Sequence, residues 1–429
     1  MKKLFILLLT ICVMAGCSAQ GEAIPLAERD PNVFMIAYYQ GQGYQLDNFV
    51  QDFINEMDPE VEVVLEKYEG LDFETFKSRL YNSFLTGTEP DIIICGPQLD
   101  IPFLASKGYL HDLSDTGLLE NIHTEFYDSE NPYFIMNMAS PITFFNSTQL
   151  EKKDRLKEPL PLNEFVDYIK AFKLEHPEFH VFLGGDSKFT AAINSAIGEM
   201  PSIKRVIIND FLISDLSYLV NDKEALFLCL EQLKYIFSPD VYKYYEDVER
   251  VYDNPNLVRE LYTNVALPTH LNNWIGIGSG LDLNNNDEHD PVGRMYGEKS
   301  KVTYKYGDYI SISKRSVLKE LAVSFTNHYL KYAPYDDFSF GELRTLSADK
   351  ERDKAVLADI KAYPTLWVTV EDYNTYWQMF KKQNTFYFET GINKLVHEEV
   401  NRMLLNNLEA KSTAEEIINK INLYQLENK

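Results

Sequence analysis

The stretch Phe73–Leu110, FETFKSRLYNSFLTGTEPDIIICGPQLDIPFLASKGYL, leaves this chain few folds to choose from. Phe73, Phe76, Leu80 and Phe84 recur at steps of three and four, the spacing of one helix face. Gly87 follows where a left-handed residue closes a helix. Ile92, Ile93, Ile94 and Cys95 then form an unbroken apolar run, which suits a strand covered on both faces, as in a parallel sheet. Gly96 and Pro97 break that strand at its carboxyl end, where open α/β sheets hold their ligands. A second short helix follows.

The preceding residues supply matching units. Val33–Tyr39 reads as a buried strand, then a helix carries Leu46, Phe49, Val50, Phe53, Ile54 and Met57 on one face, and Val61–Tyr68 is a second strand. Strand, helix, strand, helix, strand predicts a doubly wound parallel sheet of the α/β class. Gly41-Gln42-Gly43 follows the first strand, but the third glycine of a dinucleotide fingerprint is replaced by Leu46. The two glycines instead let some other ligand approach the backbone. At 429 residues the chain exceeds one ordinary core, so two lobes are expected. A net charge of −24 argues against nucleic acid, whose phosphates it would repel. It also opposes electrostatic adhesion to anionic lipid, so membrane attachment needs a covalent anchor.

The amino terminus offers that anchor. Lys2 and Lys3 precede the apolar run Leu4–Ala15, shorter than the ~20 residues that span a bilayer and suited to the core of a signal peptide. Met14-Ala15-Gly16-Cys17 resembles a bacterial lipoprotein cleavage box. The resemblance implies removal of 1–16, lipidation of Cys17, and a polar tether over 17–30. Cys95 and Cys229 fall on apolar patterns and are expected to be buried, free thiols.

Several ordered segments resemble the extracellular solute-binding proteins of bacterial ABC importers, in the branch that includes many sugar binders. They begin with Leu85-Thr-Gly-Thr-Glu-Pro-Asp-Ile-Ile-Ile94 and Leu104-Ala-Ser-Lys-Gly-Tyr-Leu-His-Asp-Leu-Ser114. Ala139–Leu150 resembles the family's crossing segment, with Phe145-Asn146 in place of Tyr-Asn. Pro161-Leu-Asn-Glu-Phe165 resembles a helix start without its Trp. Asn264-Val-Ala-Leu-Pro268, with Trp274 beyond, is a loose match. Gly307–Lys314 and Lys319–Phe325 resemble the returning strand and its helix, and Glu398–Leu408 and Lys411–Tyr424 the two terminal helices. The resemblance implies a two-lobed periplasmic-binding-protein-like fold, each lobe a sheet flanked by helices with a ligand cleft between. It places 31–141 and 304–345 in lobe 1, and 142–303 and 346–429 in lobe 2. It implies no enzyme activity and no cofactor. The expected partners are a small solute, most readily a sugar, and ABC permease subunits, at the extracytoplasmic face of the cell membrane.

Sugar-type solutes need aromatic rings for stacking and fixed polar groups for hydrogen bonds. The loops at strand ends and the crossing segment offer Tyr39, Gln40, Gln42, Tyr44, Gly96, Pro97, Gln98, Ser140, Asn146, Trp274, Asp308 and Tyr309. None of these loops carries Arg or Lys, which favours a neutral or cationic solute. With three Trp against 28 Tyr, stacking falls to Tyr, and a monosaccharide or small oligosaccharide fits better than a long stacked one. Trp367 and Trp377 lie in an aromatic segment whose place the sequence does not fix; one of them is a further candidate to line the cleft from the second lobe.

Other motifs fall away. Asp282, Asn284 and Asn286 have calcium-loop spacing, but Asp287 stands where Gly is needed and Gly293 where Glu is needed. His397-Glu-Glu-Val-Asn401 lacks the second His of a zinc protease helix. No metal is therefore assigned. A surface enzyme on the same anchor remains the alternative, without a serine elbow, zinc helix or phosphate loop, as does a sensor of the same shape that has lost transport. Among local expectations, Asn163 caps a helix carrying Phe165, Ile169 and Phe172. Thr413 with Glu416 caps the last helix, and the Tyr242–Tyr252 stretch is a half-buried helix face.

Overall fold

The computed structural model of the protein describes residues 30–39, 43–57, 60–67, 73–139, 144–147, 150–184, 203–244, 265–267, 291–332, 346–362 and 369–427. The signal sequence, Cys17, the tether up to 29, the Asp282 loop and Trp367 lie outside them. The chain opens with strand β1 (Val33–Tyr38), helix α1 (Gly43–Met57), β2 (Glu62–Lys67), α2 (Phe73–Thr86), β3 (Ile92–Cys95) and the short α3 (Ile101–Ser106). Strand β1 pairs in parallel with β2 on one side and β3 on the other. All of β3 is buried, and each isoleucine contributes about 1.5–3 kcal/mol by leaving water. Phe76, Leu80 and Phe84 are the buried face of α2. Gly87, at φ 81°, closes that helix, and its N–H and that of Thr88 both bond the Ser83 carbonyl, as expected from the sequence.

The chain leaves this lobe through β4 (Ile135–Met136) and β5 (Met138–Ala139) and builds a second body from β6 (Phe144–Phe145), α4 (Leu162–Glu175), β7 (Phe182–Gly184), α5 (Ile203–Phe211), α6 (Lys223–Ile236), β8 (Tyr242–Tyr244) and β9 (Pro291–Gly293). Here β6 pairs antiparallel with β9 and β7 parallel with β8. Residues 265–267 join the two pairs: Ser147 N–H donates to Ala266 O, Ala266 N–H to His180 O and Leu267 N–H to Val181 O. The rings of Phe144, Phe165, Phe182 and Phe211 meet at 5.2 to 5.7 Å between centroids. Tyr242 and Tyr244 thus lie on a strand, which corrects the helical expectation; Tyr245 and Tyr252 lie outside the described residues.

The return runs through β10 (Tyr304–Lys305), β11 (Tyr309–Ile312), α7 (Lys319–Tyr332), β12 (Leu346–Ser347), α8 (Lys350–Ala362), α9 (Val370–Lys382), β13 (Thr385–Phe386), α10 (Gly391–Leu405) and α11 (Ala410–Glu427). The first sheet has the order β2-β1-β3-β11-β4, and β11 is antiparallel to both neighbours. The sheet is mixed rather than wholly parallel. The reason is directional: the chain re-enters from the second body at the carboxyl edge of β3 and must run the other way. Beneath it, Phe325 of α7 meets Phe49 and Phe53 of α1 edge-on.

The Glu-Pro-Asp before β3 has a structural purpose. Asp91 is fully buried; its carboxylate accepts from Met35 N–H at 2.8 Å and from the Ser316 hydroxyl at 2.7 Å. Ser313 N–H bonds Asp91 O, and the Ser313 hydroxyl bonds Pro90 O. A buried carboxylate is tolerated only when so paired, and here it locks β1, β3 and the loop after β11 in register.

Two separate apolar cores result. Among the described residues, one gathers β1 to β5, β11, α7, β12, α8 and α9; the other gathers β6 to β10, α4 to α6 and the two terminal helices. The family resemblance places all of 346–429 in the second lobe. Instead Leu346, Ile360, Tyr373, Tyr376, Trp377 and Phe380 pack in the first core, and β12 pairs with β5. Aromatic content alone suits either core, so only the pairing of β12 and the Asp353 contacts described below decide between them.

Among the described residues the chain passes between cores three times. Ala139 and Phe144 bracket the first passage, Tyr306 and Tyr309 the second. In the third, just past the end of β13, Phe388 enters the first core while Tyr387 enters the second. Only Gly307 and Asp308 lie between the two anchored tyrosines, and a Cβ on Gly307 would run into the Met138 carbonyl and the Met136 side chain. Gly307→Ala is therefore expected to lower stability by about 1–3 kcal/mol through overpacking, read by urea unfolding. An unchanged midpoint would contradict the close approach.

Two helix starts also differ from expectation. Pro161, not Asn163, precedes α4, and Asn163 accepts from Glu164 N–H inside the first turn. Helix α11 begins at Ala410, one turn before Thr413, whose N–H and hydroxyl both bond Glu409 O. Burial of Ala410 together with Ala414 and Ile417 extends the helix past the local capping signal.

Candidate ligand-binding cleft

The carboxyl edge of the first sheet faces the passages to the second lobe. Tyr309 stands opposite both Cys95 of β3 and Met136 of β4. The ends of β1 and β3, the exit of β4 and the entry of β11 therefore share one edge. On it lie Tyr39, Gly96–Gln98, Asn137 and Asp308. Leu99 N–H bonds Gly96 O at 3.3 Å, folding 96–99 into a turn. Gln98 is buried, and its Oε1 lies 2.5 Å from where a Gly96 Cβ would be, with Asp308 Oδ1 at 3.6 Å from the same point. The structure so brings Gly96, Gln98 and Asp308 together, one amide and one carboxylate at a bare backbone position. Such a set suits hydroxyl recognition.

Three other candidates are committed to the scaffold. The Tyr39 ring is stacked 5.1 Å from Phe76 and edge-on to Phe73. Tyr309 is almost wholly buried, its hydroxyl donates to Tyr387 O at 2.9 Å, and burial holds its pKa well above the ordinary value. Asn146 uses Oδ1 and Nδ2 on the backbone N–H and carbonyl of Leu156, both at 2.7 Å. Tyr44 falls in the first turn of α1. Gln40, Gln42, Ser140 and Trp274 lie outside the described residues. Trp377, a candidate for the second lobe, instead donates its Nε1–H to Asp353 at 3.1 Å. Asp353 also accepts from Tyr373, and the Trp377 ring packs on His123 and Phe126 inside the first lobe.

Residues not singled out by the sequence tie this edge to the second lobe. Glu389 N–H bonds Pro97 O at 2.7 Å, and its carboxylate meets Arg205 of α5 at 3.3 Å. Lys305 donates to Glu125 O at 2.8 Å between the rings of Phe380 and Phe386; burial pulls its pKa down to about 8, against the charge of Glu125. Behind these, α5 carries a buried polar chain. Arg294 forms two bonds to Asp210 and lies 5.5 Å over the Tyr306 ring. Asn209 donates to Tyr306 OH and accepts from His397 Nε2 at 2.8 Å. Burial holds His397 down to about 3, so it is a neutral donor. No sequence signal points to these residues; the apolar run Phe386-Tyr387-Phe388, which alternates between the two cores, marks the place where one could be sought.

No family model matches the chain, and no curated protein matches it. Solved structures do. The galacto-N-biose/lacto-N-biose I-binding protein of an ABC transporter from Bifidobacterium longum superposes with a TM-score of 0.59 at 11% identity, covering 94% of this chain and 98% of its own. The GacH receptor of Streptomyces glaucescens, solved free and with acarbose, gives 0.57 at 12% over 91% and 97%. An ABC substrate-binding protein from Listeria monocytogenes in complex with cycloalternan gives 0.56 at 13% over 92% and 99%. The chain has the two-lobed fold of these ABC-transporter solute-binding proteins. The proteins named are binders rather than enzymes, and sugars are what they hold.

Proposed function

We propose that this protein is a receptor that closes its lobes on a small, neutral carbohydrate and delivers it to an ABC importer, held to the extracytoplasmic face of the membrane by lipid on Cys17. Lobe 1 comprises 31–141, 304–345 and most of 346–388; lobe 2 comprises 142–303 and the two terminal helices. The carrying observation is the carboxyl edge of the first sheet. Gly96, Gln98 and Asp308 converge there, and Glu389 links it to the facing lobe. A solute seated on that edge and touched by both lobes favours the closed arrangement by its differential contacts. Tyr44, Trp274, Gln40, Gln42 and Ser140 complete the proposed lining.

A panel of mono- and oligosaccharides, screened by thermal shift and solution scattering, tests this directly. One class is expected to raise Tm and shrink the radius of gyration. Asp308→Ala should weaken that response about tenfold or more, since it removes a charged acceptor of about 1.5–3 kcal/mol, and Gln98→Ala about two- to tenfold, since a neutral partner contributes about 0.5–1.5 kcal/mol. A complete panel with neither stabilisation nor compaction would sink the carbohydrate assignment. For the anchor, radiolabelled palmitate should enter the natural chain and be absent from Cys17→Ala; equal labelling of both would refute it.

A further inference from the structure

We propose a divalent transition-metal site, of the kind zinc occupies, formed by Asp154, Glu175 and His176 at the far end of α4. One ligand atom from each of the three lies within 4.8 Å of the others. Asp154 Oδ2 and His176 Nε2 are 3.2 Å apart, yet neither makes a hydrogen bond of acceptable geometry, and both atoms are shut off from solvent. The Asp154 side chain is only 9% exposed. A carboxylate oxygen buried this far and aimed at an imidazole nitrogen it does not bond costs free energy unless a third group binds both atoms.

A cation answers that geometry. Zinc bonds to nitrogen and carboxylate oxygen are about 2.0–2.2 Å, so the edge of a tetrahedral site is about 3.3–3.6 Å, close to the observed separation. Glu175 is exposed and leaves one side open to water. The far nitrogen of His176, Nδ1, faces Glu178 Oε1 at 4.0 Å, the side on which metal-bound histidines commonly have an orienting carboxylate. Imidazole with carboxylates suits zinc and its neighbours better than calcium or magnesium.

Both principal ligands are held in place beforehand. The His176 ring packs between Phe172 at 4.9 Å and Phe179 at 5.9 Å, and the His176 backbone N–H bonds Phe172 O. Asp154 sits in a turn whose carbonyl accepts from Tyr168 OH and whose next turn is clamped by Asn146. The nearby ammonium groups are engaged elsewhere: Lys153 meets Glu151 at 3.2 Å, and Lys173 donates to Pro177 O and Phe179 O. The metal would staple the 150–156 loop to the end of α4, at the rim of the second core and independently of any solute in the cleft.

The test uses chelator-stripped protein titrated with zinc chloride by calorimetry, with cobalt chloride as a spectroscopic probe. Expected are one equivalent bound at micromolar affinity or better, a rise in Tm, and cobalt d–d bands of low coordination number. His176→Gln and Asp154→Asn should each weaken zinc by more than about 100-fold, beyond the 10–100-fold typical of losing only an orienting group, while leaving the metal-free Tm near that of the natural chain. Asp154→Asn is close to isosteric and decides the matter should His176→Gln misfold. No zinc binding at 100 μM, about a hundred times a micromolar Kd, or binding that survives both substitutions, overturns the site.

Discussion

Arg294→Ala is expected to lose about 3–5 kcal/mol of stability. The guanidinium is 4% exposed and its partner Asp210 is fully buried. Two bonds join them, and a third runs from Arg294 Nη1 to Tyr304 O at 3.5 Å. Truncation leaves a carboxylate inside an apolar core with no counter-charge, which is the costly half of a buried pair. Burial already raises the Asp210 carboxyl, with Arg294 pulling the other way, so Arg294→Ala should leave it protonated. The double change Arg294→Met with Asp210→Leu should recover most of the loss, because a packed apolar pair has no desolvation penalty to offset. Urea unfolding of the three proteins reads both claims. A single-mutant loss below about 1 kcal/mol, the worth of a surface pair, would mean that water reaches the site.

Acid should destabilise the protein through His397. Its pKa is about 3 in the folded chain and about 6.5 when unfolded. Between those values the unfolded state binds the extra proton, so stability falls as pH falls. The slope approaches about 1.36 kcal/mol per pH unit once the unfolded histidine is fully protonated, hence about 2 kcal/mol between pH 7 and 5. Gln in its place keeps an N–H for Asn209 Oδ1 and does not titrate. The difference between the natural chain and His397→Gln, measured by urea unfolding at pH 7 and pH 5, isolates the effect. Asp210, whose raised folded value gives stability that is lost as pH rises, cancels in that difference. Equal pH dependence in the two proteins would show that His397 is not a buried neutral donor.

The first sheet was legible because its signals are local and repeated. Phe76, Leu80 and Phe84 mark one helix face, Ile92–Cys95 form one covered strand, and Gly87 needs one backbone conformation. The returning strand was legible too, since Ile310 and Ile312 alternate with Ser311 and Ser313, although nothing local sets its antiparallel direction. The cleft candidates were less so. A loop aromatic such as Tyr39 has the same sequence signature whether it stacks on a solute or, as here, on Phe76. Asn146 likewise carries no mark that its amide serves Leu156. The place of Trp377 is not fixed by the sequence, because indole burial suits either core; Asp353 decides it by offering its Nε1–H a partner.

Hydrophobic spacing and caps act within a few residues, so the sequence by itself determined the α/β class, the strand-helix units, the buried thiols and the helix closed by Gly87. Contacts between distant positions have no such local signature. Only the tertiary structure decided that α8 and α9 join the first core, that Gly307 and Asp308 are all that separates two anchored tyrosines, that Glu389 links Pro97 to Arg205, and that Asp154 meets His176. Each depends on side chains brought together by folding, where desolvation and geometry act on pairs rather than on spacing along the chain.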